Sequence, residues 1–276
     1  MESPPIPLEP RNDPFQHAFN NTSKIVFKRL LHFSSLTSTN EYLKPLAKRG
    51  EIEGLVVLAD EQTEGRGRLG RCWHSPAGGL YFSVLVRPMT IPALQTPLIT
   101  LTTGLAVAKV IQTALGVNPA LKWPNDIMIG NKKVAGILVD SAFIGQDIEY
   151  AIIGIGVNAN IPLVELSEPL QRIATTLQIA LNRSVNIPRL FGYLIGQLEF
   201  WYMKLRDKGF KAIEPHYRSL SMTLGKTITI DLGNQKVSGL AKSLDPDGGL
   251  YVQTADGPQV FRSGDVVSSK SKPDIE

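Results

Sequence analysis

Apolar positions along this chain recur with two periods. Residues 55–60 (Leu-Val-Val-Leu-Ala-Asp) and 81–86 are short, nearly continuous apolar runs, the length expected of buried strands. Residues 24–33, 120–123, 133–143 and 150–157 read the same way, the last two as a hairpin. The helical period governs 96–115, which has no proline after Pro97 and predicts a buried helix. Residues 168–181 and 188–208 predict amphipathic helices, with a shorter one over 210–219. Thr37, Ser38, Thr39 and Asn40 supply cap chemistry for a helix over 40–49. Strands in runs and helices in runs predict an α+β fold, a sheet covered by helices on one face.

Beyond Ser221 the texture changes. Short strands over 226–231, 235–243, 249–253 and 259–262 are separated by Gly233-Asn234, by the turn at 245–249 and by Asp256-Gly257-Pro258. This predicts a small all-β barrel over 221–276, following a main domain over 23–220. Residues 1–22 are rich in proline and polar groups and predict a flexible tail. They lack the features of a secretory leader.

Composition adds bounds. A hydrophobic content of 43% and a charged content of 20% are ordinary for a globular chain. With 29 Lys+Arg against 25 Asp+Glu, the net charge of +4 does not by itself imply a nucleic-acid partner. The single cysteine, Cys72, excludes an internal disulfide framework and points to a reducing, cytoplasmic setting. No apolar run is read as a membrane span. The charge distribution says more than the total. Residues 65–125 hold Arg66, Arg68, Arg71, Arg87, Lys109 and Lys122 without one Asp or Glu, a local field that attracts anions.

Half of those cations sit in Gly65-Arg66-Gly67-Arg68-Leu69-Gly70-Arg71. The glycines let backbone approach a ligand closely, and the arginines offer forked donors for phosphate or carboxylate. The glycine spacing matches a dinucleotide fingerprint, but that fingerprint needs a helix at its third glycine and an acid about 20 residues on. Pro76 and the Gly78-Gly79 pair exclude the helix, and the acid is absent. Next, Pro124 ends a strand and leaves Asn125 and Asp126 at its tip, where Asp126 faces a basic segment as a turn cap, a proton acceptor, a cation partner or a Mg²⁺ ligand. Lys132 and Lys133 enter the next strand on opposite faces, so at most one reaches a shared pocket. Gly154 and Gly156 alternate along the strand that ends in Asn158, leaving one face open to a flat group or to tight sheet packing.

Taken in order, these motifs resemble biotin–protein ligase. The likeness rests on Ser38-Thr39-Asn40, Gln62, the 65–71 loop with Trp73, Ser75-Pro76 and Leu80-Tyr81, the segment 122–126 (Lys-Trp-Pro-Asn-Asp), 133–138 and 154–158. It implies an α+β catalytic fold with a mixed sheet backed by helices, related to class II aminoacyl-tRNA synthetases, followed by an SH3-like barrel. It also implies two steps: biotin and ATP, with Mg²⁺, give biotinyl-5′-AMP and pyrophosphate, and a lysine of a carrier then takes the biotin. The ligand-binding residues it implies are Ser38, Thr39, Asn40, Gln62, Gly65, Arg66, Gly67, Arg68, Arg71, Trp73, Lys122, Asn125, Lys133, Gly136, Gly156 and Asn158. Ser38, Thr39 and Gln62 would meet the ureido end, Lys133 the biotinyl carboxyl and Arg68 the adenylate. Asp126 is the candidate to accept a proton from the incoming amine. Arg68, Lys133 and Asp126 thus form the expected catalytic set, with the metal ligands unassigned beyond Asp126.

The glycine content of the loop implies closure over the mixed anhydride. The partner implied is a biotin carboxyl carrier domain, such as that of acetyl-CoA carboxylase. A homodimer is left open. Many relatives carry an N-terminal DNA-binding domain. Only about thirty proline-rich residues precede Ser38 here, so no sequence-specific DNA binding is expected. Leu69 stands where many relatives have arginine. Lipoate–protein ligase, which shares the catalytic fold, is the nearest enzyme alternative. A non-enzymatic anion or nucleic-acid binder is the alternative of another class.

Overall fold

The structure is a computed structural model that describes residues 5–22 and 25–270. The expectations for residues 1–4, 23, 24 and 271–276 lie outside it. In chain order the first elements are α1 (Pro14–Asn20), β1 (Arg29–Leu36), α2 (Thr39–Lys48), β2 (Leu55–Gln62), β3 (Leu80–Val86) and α3 (Thr96–Leu115). Then come β4 (Pro119–Lys122), β5 (Asp126–Ile129), β6 (Lys132–Ile144) and β7 (Asp147–Val157). The helices α4 (Glu168–Ile173), α5 (Leu177–Leu181), α6 (Ile187–Lys208) and α7 (Glu214–Leu220) close the first domain.

The seven-stranded sheet runs β1-β2-β3-β7-β6-β5-β4, with β1 and β2 parallel and every other pair antiparallel. Its two faces follow from strand alternation. Val56, Leu58, Phe82, Val84, Ile153 and Ile155 point toward α3 and α6 and join the main core. The other face carries Val57, Leu85 and Ile152, covered by Leu43 and Ala47 of α2. Helices therefore lie on both faces, because the 39–48 helix follows a strand whose second face is also apolar.

α3 is nearly all apolar, and Ala93–Leu115 is long and apolar enough to cross a membrane by length and composition alone. It is instead a core helix, with Leu98, Leu101, Leu105, Val107 and Ile111 at or below 1% exposure. The expectation of no such run is corrected to that extent.

Three sequence expectations shift. The strand expected over 24–33 begins at Arg29, because the buried carboxylate of Glu199 on α6 accepts the backbone N–H groups of Ile25 (2.6 Å), Val26 (2.6 Å) and Phe27 (3.1 Å). The single helix expected over 168–181 splits into α4 and α5. Thr175 N–H donates to Lys133 O (2.9 Å), which pulls the chain extended against β6, and the Thr176 hydroxyl caps α5. The flexible tail is corrected over 13–22. Asp13 caps α1, Phe19 is buried, and Phe15 and Phe19 pack on Phe191 of α6. Proline at the first turn of α1 starts the helix rather than breaking it. His32 of β1 holds this segment, its Nδ1 2.9 Å from Asp13 and its Nε2 2.9 Å from Asp60.

The second sheet contains β8 (Thr227–Asp231), β9 (Lys236–Leu244), β10 (Leu250–Thr254), β11 (Gly257–Phe261) and β12 (Asp265–Lys270) in the order β11-β10-β9-β8-β12. It is an antiparallel, SH3-like unit. Its last strand was not visible in the sequence. Trp123, 2% exposed, seats this unit on the first. Its backbone N–H donates to Thr223 Oγ1 (3.1 Å), and its indole Nε1 donates to Gly248 O (3.4 Å).

Candidate active site

Strand register builds the floor of a cleft on the α2 face. Ser83, Gly154 and Leu138 lie in one row across β3, β7 and β6. Tyr81, Gly156, Gly136 and Asp126 lie in the next. Glycines in these rows leave room above the sheet. The flat group that takes this room is the Trp73 indole: a Cβ on Gly156 would stand 2.5 Å from its Nε1, and one on Gly136 3.0 Å from its Cζ3. The indole Nε1 is buried and has no hydrogen-bond partner among the described residues. A buried donor left unpaired costs about 1–3 kcal/mol, so this atom suits an acceptor on a bound molecule.

The cleft measures about 430 Å³. Ser38, Thr39, Asn40, Gln62, Arg66, Gly67, Arg68, Arg71, Trp73, Lys122, Asn125, Asp126, Lys133, Gly136, Gly156 and Asn158 all line it. Gly65 does not line it but lets the loop backbone pack closely on Trp73 and Ser75. Its N–H-bearing backbone passes under Trp73, whose N–H donates to Gly65 O (2.8 Å), and a Cβ there would meet Ser75 Oγ at 2.5 Å. A larger groove of about 1610 Å³ runs along α1 and the start of α6, but none of these motif residues lines it.

One end of the cleft is polar and uncharged. Gln62 Oε1 accepts the Thr39 N–H (2.9 Å) and lies 3.1 Å from the Thr39 hydroxyl, while Gln62 Nε2 donates to Ser75 Oγ (2.9 Å). Ser38 caps α2, and Asn158 is buried with its amide donating to Thr175 O (3.1 Å). Asn40 is equally buried and donates to Asp140 (2.8 Å).

The other end is cationic. Arg68 Nη1 donates to Asn125 Oδ1 (3.2 Å), Gly264 O (3.3 Å) and Asp265 Oδ1 (3.4 Å). Arg71 pairs with the second Asp265 oxygen at 2.5 Å. Burial lowers the pKa of Arg68 from its ordinary value, partly offset by the charges of Asp265 and Asp126. Lys133 Nζ sits 2.5 Å from Asp126 and 4.9 Å from the Trp73 ring centre. Lys132 turns away to Gln171 O. Arg66 reaches Glu41 of α2 (3.0 Å).

Of the six cations in the acid-free stretch, Arg66, Arg68, Arg71 and Lys122 line the cleft. Arg87 instead ties carbonyls of Ala47, Glu51 and Glu149, and Lys109 reaches Gln112 on α3. Within the loop, Arg68–Gly70 forms one tight turn with Leu69 at φ 56°, and no α-helix follows.

Sequence reading missed Asp265, 197 residues from Arg68, and Ser83, the one serine in an otherwise apolar strand. The Gly264-Asp265 pair after a strand was the only signal for the first. The described residues hold no cluster of three or more metal-ligating side chains. The two carboxylates lining the cleft, Asp126 and Asp265, already face cations.

Comparisons with known proteins place the chain in a family. Residues 32–158 match the biotin/lipoate A/B protein ligase family, and residues 223–268 match the biotin protein ligase C-terminal domain. The bifunctional ligase/repressor BirA of Bacillus subtilis is 32% identical over 249 residues, covering 90% of this chain and 76% of that protein. The biotin–[acetyl-CoA-carboxylase] ligase of Mycobacterium tuberculosis is 33% identical over 239 residues, covering 83% and 85%. The biotin protein ligase of Aquifex aeolicus, solved with biotin and ATP, superposes with a TM-score of 0.76 at 31% identity, covering 89% of this chain and 100% of that one. A relative at 33% identity that covers 83% of this chain and 85% of its own length, with both domains matched, shows that this chain belongs to the biotin protein ligase family.

Proposed function

We propose that this chain activates biotin with ATP and transfers it to a lysine of a biotin carboxyl carrier domain. The observation that carries this reading is one cleft with two chemically distinct ends, an amide-and-hydroxyl end at Thr39 and Gln62 and a cationic end at Arg68, Arg71, Lys122 and Lys133. The first suits the ureido ring of biotin and the second a carboxylate meeting a triphosphate.

In the first step a biotin carboxylate oxygen attacks the α-phosphorus, forming a P–O bond as the bond to pyrophosphate breaks. Lys133 and Arg68 neutralise the two anions that must approach and the charge that builds on phosphorus. Mg²⁺ bound with ATP would offset the charge of the triphosphate. In the second step the carrier ε-amine attacks the activated carbonyl and AMP leaves. Asp126 takes the amine proton once its partner Lys133 has turned to the acyl group. The 65–71 loop shields the anhydride from water.

Biotin-dependent exchange of pyrophosphate into ATP, followed by labelling of a carrier domain, tests this. Exchange with lipoate but not biotin would replace it with lipoate ligation. Oligonucleotide binding without exchange would replace it with an anion binder. Absence of sequence-specific DNA binding belongs to the same proposal. Retention of duplex DNA at physiological salt would refute that part.

A further inference from the structure

Behind the uncharged end of the cleft runs a chain of side-chain hydrogen bonds. Thr39 Oγ1 is 2.6 Å from Ser83 Oγ, Ser83 Oγ donates to Asn40 Oδ1 (2.6 Å), and Asn40 Nδ2 donates to Asp140 Oδ2 (2.8 Å). Ser83 is fully buried, and neither it nor Asp140 lines the cleft. We propose that Ser83 and Asp140 are specificity-determining positioning residues, which turn Thr39 into a pure acceptor and so select ligands that present a ring N–H. This inference rests on the reading of the cleft as a biotin site.

Counting protons gives the direction. Asp140, beside the Lys44 ammonium at 3.3 Å, is an acceptor and fixes the Asn40 amide with its nitrogen outward. Asn40 Oδ1 therefore faces Ser83 and can only accept, so the single Ser83 proton goes to it. Ser83 has then only lone pairs for Thr39. The Thr39 proton goes to Ser83 at 2.6 Å, the shorter of its two contacts, since Gln62 Oε1 at 3.1 Å already accepts the Thr39 N–H. It is spent inside the protein, and Thr39 offers the cleft lone pairs alone. Gln62 complements it. One amide proton bonds Ser75, which leaves the other for a ligand carbonyl. A cyclic urea, with N–H beside C=O, fits that pair of functions, and a dithiolane ring fits neither. Gly154 keeps the chain intact, since a Cβ there would overlap the Asn40 amide oxygen.

The two outer residues act differently. Removing Asp140 frees the Asn40 amide to turn its nitrogen toward Ser83, which reverses the chain and occupies a Thr39 lone pair. Removing Ser83 breaks it. Both should weaken the same bond, so their effects should not add.

The test uses the full chain and starts with direct binding of labelled biotin to the unaltered protein. No binding there removes the proposed function itself. Given binding, Ser83→Ala and Asp140→Ala are each expected to raise the biotin KM by about tenfold, the loss of one buried hydrogen bond. The ATP KM should not move, and the preference for biotin over lipoate should fall by the same factor. The double variant should be no worse than either single one. An unchanged biotin KM, equal losses toward biotin and ATP, or additive effects would each overturn the inference. Asp140 is partly exposed on β6, so Asp140→Ala carries the test if Ser83→Ala fails to fold.

Discussion

The contact most open to measurement is the one by which the second domain reaches the arginine loop. Arg68 and Asp265 have side chains only 21% and 20% exposed and stand 3.4 Å apart. At an effective dielectric near 20, that separation corresponds to about 5 kcal/mol of gross attraction. Taking both charges out of water consumes most of it, so the expected net coupling is about 1–2 kcal/mol. The Arg71 arm adds little, because its guanidinium is 66% exposed and an exposed pair contributes below about 1 kcal/mol. Arg68 also bonds Asn125 and Gly264, so single variants would mix several losses. A double-mutant cycle with Arg68→Ala and Asp265→Ala removes that mixture. Read by urea unfolding, it should give a coupling of about 1–2 kcal/mol that survives moderate salt better than a surface pair would. The same Asp265→Ala variant should lose biotinyl-AMP by about tenfold faster, because Arg68 is no longer held toward Asn125. A coupling below about 0.5 kcal/mol would refute the claim that the domains are joined electrostatically at the site.

Further expectations concern the loop and the frame. Arg68→Gly should release biotinyl-AMP and label bystander proteins, as read by biotinylation of an added non-carrier protein; retained selectivity would remove the holding role of Arg68. Glu199→Ala strips the acceptor from three consecutive backbone N–H groups and should cost about 3–5 kcal/mol, while Glu199→Gln should cost about 1–2, both measured by urea unfolding. A loss under about 1 kcal/mol in the alanine variant would mean that water replaces the carboxylate. Burial opposes charge on His32, but hydrogen bonds and charge from Asp60 and Asp13 outweigh it and raise its pKa above 6.5. A raised folded-state pKa makes this contribution complete below about 6.5 and lost as pH climbs through the folded value. Only the protonated ring can donate to both carboxylates, so Asp60→Asn should lower the urea midpoint more at pH 6 than at pH 9. A pH-independent difference would show that His32 is not the titrating group.

Much of the site was readable because its chemistry is local in sequence. The glycine–arginine loop, the 122–126 segment and the alternating glycines 154 and 156 each declare a backbone need or a charge excess within a few residues. Strand alternation set Lys132 and Lys133 on opposite faces, and the family resemblance chose Lys133. What could not be read depends on partners distant in the chain. Ser83 is an ordinary strand position until Thr39 and Asn40 arrive on α2. Asp265 acquires meaning only when β12 pairs with β8 and brings it to Arg68. β5 was hidden because the proline before it dominates the local signal. α1 was hidden because proline at a first helical turn resembles proline in a tail. The break between α4 and α5 is made by bonds to β6, which no helical periodicity reveals.

α3 carries a consequence for how the chain is made. Its sequence is synthesised well before α6, the helix that shields it, whose first turn begins at Ile187. At about 5–20 residues per second, the interval between the end of α3 and the end of α6 lasts several seconds. Throughout that time a twenty-residue greasy segment leaves the ribosome without its cover. It has the length and apolarity that a membrane-targeting factor reads, and it is the stretch of this chain most in need of a chaperone. A slow codon run placed between residues 116 and 186 would lengthen this exposure, and one placed after 208 would not.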